Sequence, residues 1–528
     1  MGGTSGPGTE AAAEKVYRRA VRCWSWYDWA NHAYVTTTAS TFFPPYFIAI
    51  ATPAFLAAGS LASDPKALAA ARNAANDRFA FAVAAALLIA ALLSPLAGTY
   101  ADITGRRKRL LLVMTAAGGL LSSAMVVLRT GHWHAGLVLY VATQVIMNIA
   151  LGLNSSLLCH VSRPEDLDRN SSLGYAMGYV GGGLLLALNT ALYFFAPALG
   201  IASATAVRLA FLSVGVWWLL FSLPLLFGVP EPPATPLAGG GGTSRLRDTL
   251  VRLRHTLRDI RRYRELFKML VAFWFYMEGV GAIILLATAY GATLGLEMKH
   301  LISMLLLTQF VAFPYALMYG RVPDPASRWR GAFLAMVLWT AVTFPVMGAY
   351  ANLSGGVTIA RGFAMMAINQ AAGFLFALLL GRRLFDRLAD KLDAQRAVLL
   401  GLCIYTVVPV WGFFLKTPAE FFMLGWMVGT VQGGTQALSR AVYAGLLPKA
   451  KSGEFFGIYG LAEKFAGVMG PLLYALVGTW TGSPRSSILS LCAFFVLGIV
   501  LFARVNVAEG TARAAAEEAE IEATHAAE

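Results

Sequence analysis

The stretch Trp24–Tyr34, WSWYDWANHAY, sets three polar side chains among aromatics. Asp28 and His32 stand four residues apart with Asn31 between them, so on a helix the three share a face. The sixteen residues that follow, VTTTASTFFPPYFIAI, hold no charge. Desolvation at the mouth of such a run raises a carboxyl pKa toward values where the group takes and releases protons. Glu278, in FYMEGVG, has the same setting: aromatics, an acid, then a small residue nearby. The pair therefore reads as two related sites for proton chemistry. Asp28 has an alternative, an ion pair with a cation that acts as a gate. His32 has two readings as well, a proton relay with Asp28 or a satisfied polar ring. Gln144 and Asn148 lie four apart, and Gln432, Gln436 and Arg440 recur at fours. Each stripe marks one helix face, and any single member could be an interhelical hydrogen bond.

These side chains sit inside apolar runs, and the runs must position them. The chain of 528 residues is 57% hydrophobic and 13% charged, with a mean hydropathy of +0.62. Soluble domains are about a quarter charged, so the composition is that of a polytopic membrane protein. Runs of spanning length fall near 24–50, 78–100, 110–128, 135–158, 171–195 and 205–229. They resume near 267–290, 301–320, 331–351, 357–381, 397–415, 419–445, 454–479 and 486–504. Each approaches the ~20 residues a helix needs to cross hydrocarbon, which predicts about fourteen spans. No segment alternates with period two, which excludes a barrel. A charge deep in a membrane costs at least ~2.5–3.5 kcal/mol, so both acids should face inward. Glu278 lies ten residues from Lys268, or ~15 Å of helix rise, and Asp28 only six from Arg22, or ~9 Å. Glu278 is thus the deeper candidate.

The formal net charge is +14, carried by short basic segments between the runs. Lys15, Arg18, Arg19 and Arg22 precede the first run; the loops near 159–170, 321–330, 382–396 and 446–453 are basic or mixed. The alternate loops, 196–204 and 352–356, have no Lys or Arg. That alternation predicts cytoplasmic termini. With no soluble basic domain, no nucleic-acid partner is expected. Between the sixth and seventh runs lies VPEPPATPLAGGGGTSR, a linker composition. After it, Leu246, Leu250, Leu253, Leu257 and Ile260 recur every three or four residues among arginines. This is a basic amphipathic helix, suited either to an anionic inner leaflet or to packing on the protein. The acidic, Ala-rich tail beyond Arg504 is expected to be disordered or a frayed helix.

Enzyme signatures are missing: there is no HExxH, zinc-spaced Cys/His cluster, P-loop or GxSxG. The four cysteines have no partners at metal spacing. Neither a cofactor nor a metal is expected.

The loop GTYADITGRRKR, Gly98–Arg109, is more specific. It resembles the signature loop between the second and third helices of the major facilitator superfamily. Gly98, Asp102, Gly105, Arg106 and Arg107 match it, while Tyr100 stands where the family usually has Leu. A degenerate second copy, FDRLADKLDAQR, keeps Asp390 and Arg396 but has Asp386 and Asp393 at the glycine positions. YDWANHAY…FFPPYF, SLGYAMGYVGGG, TQFVAFPYAL and VQGGTQALSRAVYAGLLPK resemble that superfamily's vacuolar amino-acid effluxer-like branch. His32 departs, standing where the branch more often has a small residue.

The resemblance implies an all-α major facilitator fold, with two six-helix bundles plus an extra helix pair. The bundles would be 24–229 and 267–504, joined by a linker at 230–266, with cytoplasmic ends at 1–23 and 505–528. The extra pair would be roughly 321–381, or in another register 267–320. The first, fourth, seventh and tenth family helices line a cavity, which would collect Asp28, Asn31, His32, Gln144, Asn148, Glu278, Gln432 and Gln436. The signature loops would latch the cytoplasmic gate. The implied function is proton-coupled secondary transport of a small solute by alternating access, with outward movement of amino acids as the implied example. Its partners would be the solute, protons and membrane lipids. The place would be a bacterial-type cell membrane, or a vacuolar membrane in a eukaryote. The alternative is a non-transporting receptor or scaffold on the same fold.

Overall fold

A computed structural model describes residues 7–56, 64–235, 245–258, 260–293, 298–324, 327, 329–354, 356–465 and 469–527. Residues 1–6 of the N-terminal segment, 236–244 of the linker and Gly355 of an uncharged loop lie outside these. The described residues form helices and no strands. The first part of the chain gives α1 (Pro7–Ala33), a π-helical stretch (Tyr34–Phe42), α2 (Phe43–Ala51), α3 (Pro65–Thr104), α4 (Arg107–Ala124), α5 (Trp133–Val161), α6 (Leu167–Phe195), α7 (Ser203–Gly228) and α8 (Arg245–Arg258). The middle gives α9 (Arg264–Thr293), α10 (Met298–Tyr319), α11 (Arg330–Leu353), α12 (Ile359–Phe376) and α13 (Arg382–Ala389). The last part gives α14 (Ala394–Phe414), α15 (Pro418–Gly445), α16 (Ser452–Phe465), α17 (Met469–Thr481), α18 (Pro484–Ser490), α19 (Cys492–Phe502) and α20 (Val507–Ala527).

Local chemistry places the helix ends. Asp64 caps α3 by accepting from Lys66 N, with Pro65 in the first helical position. Gly105 ends the same helix at φ +60°, a left-handed conformation that suits glycine. Thr417 and Glu420 form a reciprocal capping box at α15.

Eleven described helices are long and apolar enough to cross a membrane. The expected fourteen are therefore not reproduced, and each of the other three runs falls short differently. The run 24–50 is helical but passes from α1 through the π-helical stretch to α2. The run 419–445 is one helix of 28 residues, α15, made too polar by its glutamines, threonines and Arg440. The run 454–479 includes residues 466–468, which lie outside the described part.

The chain forms two compact units. The first comprises residues 1–162, 180–255 and 450–461, the second 163–179, 256–449 and 462–528. Within the first, α1 packs along α7, and α3 and α4 pack along α5. Within the second, α9 packs along α19, and α10 and α14 pack along α15. The pairings repeat in order. Helices α11 and α12 also pack on α15, and no described helix of the first unit matches them.

The tail, expected to be disordered or a frayed helix, is helical as α20 and is docked. Tyr263 Oη donates to Glu517 Oε1 at 2.6 Å, Arg262 Nη2 to Glu520 Oε2 at 2.7 Å, and Asn506 N to Glu265 Oε2 at 2.8 Å. These bonds hold α20 against the start of α9.

Candidate transport and gate sites

The aromatics around Asp28 are packing residues. Trp26 stacks on Phe221 and Trp29 on Trp217, so α1 is fastened along α7. Such pairs contribute ~0.5–1.5 kcal/mol beyond area burial. Asp28, 1% exposed, accepts from Asn154 Nδ2 at 2.9 Å. Asn154 is itself fully buried on α5, and Trp24 Nε1 donates to its carbonyl at 3.0 Å. His32 Nδ1 donates to the backbone carbonyl of Asp28 at 3.0 Å. The ring is therefore tied to the helix through Nδ1. Asn31 lies against the Tyr27 hydroxyl, yet neither of its buried amide atoms reaches hydrogen-bond geometry.

The stripe on α5 divides. Asn148 Nδ2 donates to the carbonyl of Gln144 at 2.8 Å, a bond within its own helix. Gln144 Oε1 is buried and has no hydrogen-bond partner among the described residues. The π-helical stretch adds three groups of the same kind, the hydroxyls of Tyr34, Thr37 and Thr38. Single π turns are frequent at functional sites. The hydroxyl-rich run VTTTAST carried that signal in the sequence; Asn154 had none, because nothing local aims it at Asp28.

In the second unit, Glu278 on α9 is 1% exposed and accepts from Gly470 N, in the first turn of α17, at 2.8 Å. A helix N-terminus stabilises a carboxylate. The polar face of α15 meets a matching face of α6. Tyr179 Oη donates to Gln436 Oε1 at 2.9 Å, and Gln432 lies beside the same tyrosine. Arg440 donates through Nε to Ser171 Oγ and through Nη2 to the Ser171 carbonyl, with its guanidinium 4.4 Å from the Tyr175 ring centroid. Residues 171, 175 and 179 thus face 440, 436 and 432 in antiparallel order. Gln432 also borders a small cavity of about 70 Å³ with Gln309, Thr308 and Met304.

Both carboxylate oxygens of the first signature loop's acid are bonded. Asp102 Oδ1 accepts from Arg107 Nε at 2.6 Å and from Gly453 N at 3.0 Å; Oδ2 accepts from Glu454 N at 2.9 Å. Gly453 and Glu454 open α16, so the carboxylate sits on a helix N-terminus. Arg107 is fully buried and reaches the Ala450 carbonyl at 3.3 Å. A Cβ on Gly98 would collide with the Gly453 carbonyl. Arg106 is exposed and makes no cap bond.

The linker completes this loop, which its composition concealed. Glu231 accepts from the backbone nitrogens of Lys108 at 2.7 Å and Arg109 at 3.2 Å, capping α4. Thr235 N donates to the Asp102 carbonyl at 2.9 Å. Arg252 of α8 lies 3.4 Å from Glu454 Oε2 and donates to the carbonyls of Thr235 and Ala450.

The second loop differs. Asp390 is 75% exposed by its side chain and stands 3.8 Å from Arg330 Nη1. Arg396 is exposed; its backbone nitrogen donates to Asp393 Oδ1 and its side chain to the Lys391 carbonyl. A glycine contact like that of Gly98 occurs elsewhere, at Gly320, where a Cβ would meet Ser172 and the Asp168 carbonyl of α6. Gly320 and Asp324 are four apart, as Gly98 and Asp102 are.

Comparison with known proteins adds independent support. A model of the family described as "vacuole effluxer Atg22 like" matches residues 17–169, 160–374 and 363–515. An uncharacterized MFS-type transporter, YxiO of Bacillus subtilis (strain 168), is 27% identical over 93% of this chain and 96% of its own length. Autophagy-related protein 22 of Cryptococcus neoformans var. neoformans serotype D (strain B-3501A) is 27% identical over 65% of this chain, which spans 53% of that protein. Among solved structures, the human organic anion transporter MFSD10 aligns with a TM-score of 0.59 at 13% identity, covering 92% of this chain and 99% of that one. The proton:xylose symporter XylE aligns at 0.55 and 14% identity, covering 92% and 95%. These two show the fold alone. The chain belongs to the Atg22-like family of major facilitator superfamily transporters.

Proposed function

We propose that this transporter exports a small solute of the amino-acid class, coupled to protons, by alternating access. The observation that carries the reading is the pair of carboxylates, Asp28 and Glu278, each 1% exposed and each in the first helix of its unit's repeated pairings. Buried intramembrane acids are costly, and function is the usual reason for keeping them. Glu278 carries the coupling proton, and Asp28 rearranges its hydrogen bonds between states. Asn31, His32, Gln144 and Asn148 are the candidate solute contacts of the first unit, Gln432 and Gln436 those of the second. The effluxer description of the matched family supports outward movement. The near full-length match to a Bacillus protein supports a bacterial-type cell membrane, with a vacuolar membrane as the eukaryotic counterpart. The loop charges support cytoplasmic termini.

In this reading Asp102, Gly105, Arg106 and Arg107 belong to the cytoplasmic gate. Helices α11 and α12 are the extra pair, near 321–381, inserted into the second gate loop, so that Gly320 ends one piece and Asp390–Arg396 belong to the other.

The test is reconstitution into proteoliposomes, with amino acids screened under an imposed pH gradient. Glu278→Gln mimics the protonated acid. It should abolish gradient-driven accumulation while sparing substrate-for-substrate exchange. Accumulation unchanged in that variant would remove Glu278 from coupling, and no flux of any amino acid by the wild type would overturn the substrate class.

A further inference from the structure

Helix α8 has two faces that point to different partners. Its inner face holds Thr249 and Arg252, both buried. Arg252 joins Asp102, Arg107 and Glu454 in a cluster of two acids and two bases, none more than 7% exposed by side chain. Both arginines also donate to one acceptor, the Ala450 carbonyl. Loss of Arg252 would leave Glu454 buried without this cation, so the linker helix is part of the latch's charge balance.

The outer face is Arg247, Leu250, Val251 and Arg254, all exposed and spaced as one helical stripe. Leu250 is 51% exposed and Val251 40%. Two adjacent aliphatic side chains bracketed by guanidinium groups suit a membrane surface. The aliphatics enter the boundary between headgroups and acyl chains, and the arginines pair with phosphates. From Arg245 to Arg264 the chain carries eight arginines against two aspartates, a charge that complements anionic lipid. The acidic tail is the obvious internal occupant for such a face. It is already held on α9 through Tyr263 and Arg262.

We propose that α8 is a lipid-reading arm of the gate: its outer face docks on anionic headgroups while its inner face holds the latch through Arg252. Anionic lipid fixes α8, α8 fixes Arg252, and Arg252 steadies Glu454 at the start of α16. Lipid composition thereby biases how long the latch stays closed.

The test uses the full chain as single copies in nanodiscs, of phosphatidylcholine alone or with phosphatidylglycerol. Amide hydrogen exchange is read in α8 and in residues 449–461, and no transport substrate is needed. The result therefore stands whether or not the chain exports amino acids. Phosphatidylglycerol should slow exchange several-fold in both segments. The double variant Arg247→Gln, Arg254→Gln should lose both effects while keeping its melting temperature in detergent. Arg252→Gln should keep the protection of α8 and lose that of 449–461. If Arg252→Gln does not fold, the outer-face double variant decides alone. Equal exchange in the two lipids, or a lipid effect surviving in the double variant, would overturn the proposal. So would protection produced by inorganic phosphate, or protection that appears only with two copies per disc.

Discussion

Asp102 and Asp390 are both acids of signature-like loops, and they make opposite kinds of ion pair. Asp102 and Arg107 are fully buried at 2.6 Å, with two backbone amides filling the remaining acceptor sites. Asp390 is mostly exposed; Arg330, 3.8 Å away, is buried but also donates to the Leu392 carbonyl at 2.6 Å. Removing one partner of a buried pair costs about 3–5 kcal/mol, because the other charge is stranded. An exposed pair contributes ~0–1 kcal/mol. The same residue type at a similar loop position is therefore a structural requirement in one place and a surface contact in the other.

The largest effect should come from the glycines that let these loops close. Gly98→Val drives a side chain into the Gly453 backbone, which can retreat only by moving α16. Transport should fall to background, with faster hydrogen exchange at 452–461. Gly320→Val meets Ser172 Cβ, with the nearest backbone atom, the Asp168 carbonyl oxygen, 3.0 Å from an added Cβ, so its loss should be several-fold smaller. Equal losses would erase the distinction between the loops.

Next in size is Asp102→Asn. Membrane insertion becomes no harder, but Arg107 loses its anion. We expect folded protein with a lowered melting temperature, and transport slowed more than about tenfold, since ~1.4 kcal/mol in a barrier is a factor of ten. Counterflow at matched protein density measures it, and wild-type flux would reduce the loop to a topology signal. The smallest effect belongs to Asp390→Asn, which should change flux and melting temperature little, because water solvates Asp390 and Arg330 keeps the Leu392 carbonyl. A collapse comparable to Asp102→Asn would show the second loop to be an equal latch.

The sites were legible to different depths. Gly98, Asp102 and Arg107 lie within ten residues of one another, and spacing alone brought them out. Glu231 and Arg252 were hidden, since a Pro- and Gly-rich linker reads as a spacer and not as a set of ligands for a loop more than a hundred residues earlier. The stripe Gln432, Gln436 and Arg440 was visible as a face, but not the tyrosines and Ser171 of α6 that occupy it. Asp28 was visible by its cost in an apolar run. Its donor Asn154 was one buried asparagine among several.

Local residue patterns already make this chain an all-helical membrane protein with a signature loop and two acids in apolar surroundings. Hydrocarbon enforces that outcome locally. Each span must satisfy its own backbone hydrogen bonds within ~20 residues, so a short window of sequence is enough. Only the tertiary structure decided which loop is buried, which face of α8 turns inward, and that His32 bonds to a backbone carbonyl. Lipid tails are as apolar as leucine, so the hydrophobic pattern of a helix does not say which side meets protein. That choice rests on close glycine contacts and on polar partners far apart in the chain, such as Asp102 with Gly453 and Arg440 with Ser171.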